Sequence, residues 1–134
     1  MDSAFIDGTG SRWNCRVTWA AIRRSQAAGV DLTKVEEYLG DFYRCSPNLI
    51  DALWSVLEPA CKEQGIRTLA EFEERVSGEV LEGARDALLE GLRDFFPKGR
   101  AILIQAAAND VEKQLRALYV QLPKQSTESP ESSA

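Results

Sequence analysis

One apolar seam near the end of the chain constrains the fold more than any other feature. Ile104, Ala108, Val111, Leu115, Leu118 and Leu122 are spaced 4, 3, 4, 3 and 4 apart. That is the repeat of a single helix face, with Lys113, Gln114 and Arg116 placed elsewhere on its surface. Directly after it the chain changes to PKQSTESPESSA. An amphipathic helix of this kind is a packing or partner-binding element, and it must bury its stripe against something. Under three heptads is too short to demand a coiled coil. The domain's own core is therefore one expected partner and a second chain is another. Leu115, Leu118 and Leu122, nearest the polar tail, are the candidate partner-binding residues.

The rest of the chain supplies helices for that seam to pack on. Residues 4–17 read as a β-hairpin about Gly8-Thr9-Gly10-Ser11, because Trp13, Cys15 and Val17 then alternate with Arg12, Asn14 and Arg16. Thr18 caps a first helix to about Ala28, in which Trp19, Ile22 and Gln26 share a face, and Gly29 ends it. Asp31 or Thr33 starts a short helix with Val35, Tyr38 and Leu39 that stops near Gly40. Ser46-Pro47 is a helix start, with a capping hydroxyl and proline at the first position. The helix from Asn48 carries Leu49, Ile50, Leu53, Trp54, Val56, Leu57 and Cys61. This broad apolar face predicts a central helix, and an internal partner for the closing seam. Pro59 predicts a kink or a break, and Gly65 a stop.

Thr68 and Glu71 have capping-box spacing and open a helix with Phe72 and Val76. After Ser77-Gly78, a longer helix carries Val80, Leu81, Ala84, Ala87, Leu88, Leu92 and Phe95, with Glu79, Glu82, Asp86 and Glu90 facing outward. Pro97 and Gly99 end it, and the last helix starts near Arg100. The fold class is mainly α: a compact domain of about six helices over residues 1–122 with a short N-terminal hairpin. Residues 123–134 form a polar tail, expected to be disordered.

Charge narrows the partners. Residues 51–122 hold thirteen acidic against nine basic side chains, and the whole chain is at -5. A phosphate-backbone binder needs a basic face, so no nucleic-acid partner is expected and protein partners are favoured. No stretch approaches the ~20 apolar residues that span a bilayer. MDSAFIDGTG lacks the basic and apolar regions of a signal peptide, and a cytoplasmic location is expected. The three cysteines are far apart, without CxxC, and there is no histidine. Neither a disulfide framework nor a metal site is predicted, and no cofactor.

No catalytic residue emerges. Without histidine the commonest general base is missing. Glu36-Glu37 and Glu73-Glu74 are sequence neighbours, which on a helix point ~100° apart rather than at one substrate. Gly8-Thr9-Gly10 does not complete a phosphate loop and precedes a strand. Residues 18–40 have loose helix-turn-helix spacing, but Glu36 and Glu37 would meet phosphates with like charge. A small DNA-binding regulator is therefore the weakest reading. A general helical protein-interaction or adaptor domain is stronger.

The ordering of features resembles a known family. A hairpin with Asp7-Gly8, then Trp13, Cys15 and Val17-Thr18, precedes Ile22-Arg23-Arg24 and Gly29-Val30-Asp31-Leu32. Leu53-Trp54-Ser55-Val56-Leu57 and Asp94-Phe95-Phe96-Pro97 follow. Over about residues 5–120 this is similar to the tail assembly chaperones of long-tailed phages and prophages. The resemblance implies a helical, non-enzymatic protein of the host cytoplasm that coats the tape measure protein before the tail tube polymerises around it. Such proteins are often homo-oligomers, are absent from the finished virion, and some have a longer frameshifted form. The resemblance carries no fixed set of site residues. This chain departs from it in lacking an apolar tail segment to engage a client, which leaves that contact to the helical body.

Overall fold

The structure, a computed structural model, describes residues 3–121. Leu122 and the polar tail fall outside the described residues. The domain is mainly helical, with a two-stranded hairpin followed by six α-helices and one 3₁₀ turn among the described residues.

Strands β1 (Ala4–Ile6) and β2 (Arg12–Asn14) pair antiparallel, with Phe5 opposite Trp13. Alternation puts Phe5, Trp13, Cys15 and Val17 inward, and all four are buried. The strands are shorter than the alternation, yet Cys15 still donates its N–H to Ser3 O at 2.8 Å. An isolated hairpin is marginal in water; this one lies on helix α5 (Glu79–Phe95). Its outgoing strand crosses α5 at Gly91, where a Cβ would lie 2.0 Å from Cys15 O.

Helix α1 (Trp19–Ala27) starts at Thr18, whose hydroxyl accepts from Ala21 N–H at 3.1 Å, and closes at Gly29 with a φ of 98°. Its buried residues are Ala21, Ile22 and Ser25. The expected face with Trp19 and Gln26 is therefore wrong by part of a turn. Ser25 belongs inside because its hydroxyl donates to Val30 O at 2.6 Å, which removes the penalty of burying it. The next segment is not an α-helix that stops near Gly40. Leu32–Glu37 is a kinked 3₁₀ turn capped by Asp31, and the chain re-enters helix as α2 (Leu39–Tyr43), with Gly40 inside it. Burial of Leu39 and Phe42 overrides the ~1 kcal/mol cost of a helical glycine. Helix α2 ends at Cys45, which takes the left-handed position (φ 55°) where glycine is usual. Cys45 N–H bonds to Phe42 O at 3.1 Å and Ser46 N–H to Asp41 O at 3.0 Å.

Helix α3 (Pro47–Glu63) starts with proline at its first position, as the sequence predicts, but the Ser46 hydroxyl is buried and makes no capping bond. Pro59 does not divide α3. Proline has no N–H, so the carbonyl four residues back, Ser55 O, loses its helical donor. Arg24 of α1 takes that place, its Nε donating to Ser55 O at 2.8 Å. An arginine thus mends the gap that a proline leaves. Arg24→Ala should cost about 1–3 kcal/mol by stranding that carbonyl, and less in a Pro59→Ala background, where an N–H returns. A double-mutant cycle by urea denaturation measures the difference; a coupling of zero would show that the bond contributes nothing.

Two short-range signals hold as read. Gly65 closes α3 with a φ of 87°, and Thr68 and Glu71 form a full capping box on α4 (Leu69–Glu73). Trp54 is only half-buried, its ring 5.7 Å from that of Phe72; the large enclosed aromatics are Trp13, Phe42 and Phe72.

Helix α6 (Lys98–Gln121) begins two residues before Arg100, with Gly99 inside it. It packs on α5, α2 and the 3₁₀ turn. The predicted pairing of its seam with α3 gives way to these because α5 and α6 follow one another across the short bend at Pro97. No helix among the described residues is long and apolar enough to cross a membrane.

Candidate partner-binding surface

The seam of α6 divides into a covered half and an uncovered one. Ile104 and Ala108 are buried, and Val111 packs partly on the core. Leu115 is half-buried, while Leu118 is 54% exposed and Tyr119 74%. Leu122, the third candidate, lies outside the described residues. The last turns of α6 therefore run past the body of the domain with part of their stripe uncovered.

The start of α6 is fixed by contrast. Arg100 donates from Nε to Glu36 Oε2 at 2.8 Å, and from Nη2 to Glu36 Oε1 and Thr33 O, both at 2.6 Å. The same guanidinium lies 4.7 Å over the Phe96 ring. This bidentate bond holds the Glu36 carboxyl below its ordinary pKa. Glu36, expected as a solvated charge, is instead the anchor of α6. It also sits in a 3₁₀ turn, so the second helix of a helix-turn-helix is not formed there.

Where α6 leaves the body, it forms an open cleft of about 270 Å³ with α5 and the end of α2. Leu115, Tyr119 and Arg116 line one wall, Glu82 and Arg85 the other, and Tyr43 lies between. The charges inside are mostly matched. Arg85 stacks 4.4 Å over Tyr43 and reaches Asp86 at 3.0 Å, while Arg116 reaches Glu112 at 2.8 Å. Of the four carboxylates expected on the outer face of α5, Glu79, Glu82 and Asp86 are exposed. Glu90 is not: its side chain is 13% exposed and bonds Arg93 at 2.7 Å.

A second polar cluster is internal. Asp7 is buried at the hairpin turn, and its carboxylate accepts from Trp13 Nε1 at 2.8 Å, from Thr9 N–H and hydroxyl at 2.8 Å, and from Ser11 N–H at 3.0 Å. Arg75, from the loop after α4, completes the set at 3.1 Å. Burial alone would raise the carboxyl's pKa, but the bonds from Trp13, Thr9 and Ser11 outweigh it and hold it well below the usual carboxylate range. Every lone pair faces a donor within the chain, so this cluster fastens the hairpin to the domain. Burial pushes the Cys15 thiol up to about 12 and Cys61 to about 11, so both are protonated at neutral pH and poor nucleophiles.

Sequence reasoning missed several exposed apolar side chains. Trp19 stands at the surface with its ring 5.0 Å from that of Phe95, edge to face. Ile102, Leu103 and Val120 are exposed on α6. At 100° per residue Val120 and Ile102 share a side of the helix away from the seam. The extra apolar residues around α6 were the available signal, since an amphipathic helix with one covered face needs only one stripe. No protein-family model, curated protein or solved structure matches the chain.

Proposed function

We propose that this protein is a non-enzymatic assembly chaperone of the phage-tail kind, which holds helical segments of a tape measure protein until the tail tube forms around them. The observation that carries the reading is the uncovered end of α6: Leu115, Leu118 and Tyr119 continue a core stripe beyond the point where the domain covers it. Soluble monomers seldom leave such a stripe without a use, and helix-in-groove recognition reads a stripe of this spacing. The ordering of sequence features described above supports the phage assignment. Weak contacts of this size suit a client that must later be released, with several copies along one client supplying the avidity.

The test is co-expression with the tape measure protein from the same gene cluster. The protein should keep that client in the soluble fraction. Leu118→Asp should abolish this while leaving the melting temperature nearly unchanged, because exposed positions seldom change stability by more than about 0.5 kcal/mol. A client equally soluble with and without the protein would refute the proposal.

A further inference from the structure

We infer that the outer face of α6 pairs with the same face of a second copy of this chain, as two antiparallel helices related by a two-fold axis. Leu103, Ala106, Asp110, Lys113, Ala117 and Val120 are spaced 3, 4, 3, 4 and 3 apart, the repeat of a coiled-coil seam. All six are exposed. At about 100° per residue they centre roughly 170° around the helix from the buried Ile104 and Ala108. They therefore face away from α5 and α2, on which α6 packs, and leave room for a partner helix. This stripe is distinct from Leu115 and Leu118, so the inference stands without the client reading.

The order of residue types selects the occupant. Read backwards, the stripe runs Val, Ala, Lys, Asp, Ala, Leu. Two copies laid antiparallel about a point between Val111 and Glu112 set Leu103 against Val120, Ala106 against Ala117 and Asp110 against Lys113. The two-fold axis makes each contact twice. Apolar side chains then meet at both ends, small ones let the helices approach between them, and opposite charges meet at the centre. A parallel pair in register would set Asp110 against Asp110 and Lys113 against Lys113, so charge selects the antiparallel one. Asp110 accepts from Gln114 Nε2 at 3.2 Å. Neither Asp110 nor Lys113 is in an ion pair among the described residues, so both charges are available to a partner. An unrelated client helix would need the same palindromic order to fit as well, and a second copy has it by identity. From Leu103 to Val120 the seam is about 26 Å long, which makes a small interface of the weak, concentration-dependent class.

Sedimentation of the full chain over a concentration series tests this. The wild type should pass from monomer to dimer at micromolar concentrations. Asp110→Lys and Lys113→Asp should each weaken the dimer at least about tenfold, by placing like charges at its centre. The double variant Asp110→Lys/Lys113→Asp reverses both charges and should restore most of the association. Both positions are exposed, so melting at low concentration should stay near wild type in all three. Oxidation reads the orientation: a mixture of Ala106→Cys and Ala117→Cys chains should cross-link, and neither chain should cross-link alone. A monomer at every concentration overturns the inference. So does a dimer that the single reversals leave intact, or one in which Ala106→Cys links to itself. A dimer broken by Leu118→Asp but untouched by the charge reversals would place the second copy on the other stripe, and also overturns it. Client solubility on co-expression is a separate readout, so failure here leaves the chaperone reading standing.

Discussion

Asp7→Ala should destabilise the protein by about 3–5 kcal/mol, the usual result of removing one member of a buried charged pair. The carboxylate serves Trp13, Thr9, Ser11 and Arg75 together. Its loss leaves the buried indole N–H without an acceptor and a guanidinium without its anion. Urea denaturation measures the loss, and a change below about 1 kcal/mol would mean that water replaces the carboxylate freely. The same group sets an acid dependence. Its folded pKa lies below the unfolded value of about 3.9. The stability it contributes is therefore complete above that value and disappears as pH falls through the folded pKa. Glu36, held down by Arg100, acts in the same direction. Stability should decline on acidification below about pH 4, and Asp7→Asn should flatten that decline.

Gly91→Ala should also destabilise, by about 1–3 kcal/mol, although helix propensity alone predicts a gain of about 1 kcal/mol. The new methyl would fall 2.0 Å from Cys15 O and 3.3 Å from Val17 Cγ2. Both belong to backbone or buried groups that cannot swing aside. The hairpin's outgoing strand would have to rise off α5. Gly83 supplies the control within the same helix: it is exposed, and a Cβ there meets nothing within 4 Å. Gly83→Ala should therefore stabilise by about 1 kcal/mol. Thermal melts of the two variants should move in opposite directions; movement in the same direction would show that the close crossing at Gly91 is absent.

Gly83 and Gly91 look alike in sequence, and this marks the boundary of what sequence reasoning reaches. Most signals whose partners lie within four residues were legible, the Ser46 hydroxyl excepted. Thr18, Gly29, Gly65 and the Thr68–Glu71 box act where the pattern placed them, because caps satisfy local backbone groups. Signals whose outcome depends on a distant partner were not. Pro59 reads as a break until Arg24, from another helix, replaces its missing hydrogen bond. Gly40 reads as a stop until the burial of Leu39 and Phe42 carries the helix through it. Glu36 reads as solvent-facing until Arg100 arrives. The candidate surface was half legible for the same reason. The spacing placed Leu115 and Leu118 on one stripe, but only the length of α6 relative to its neighbours decides where the covering stops.

The Asp7–Arg75 bond joins positions 68 residues apart, and this has a consequence for the order in which the molecule is made. The hairpin's counter-charge at Arg75 and its helix support on α5 are both synthesised after it. Until Arg75 and then Gly91 emerge, the strand pair has neither an ion to close its turn nor a floor to lie on. The hairpin can therefore close onto the body only through contacts of long sequence separation, which cost more loop entropy than the caps and turns do.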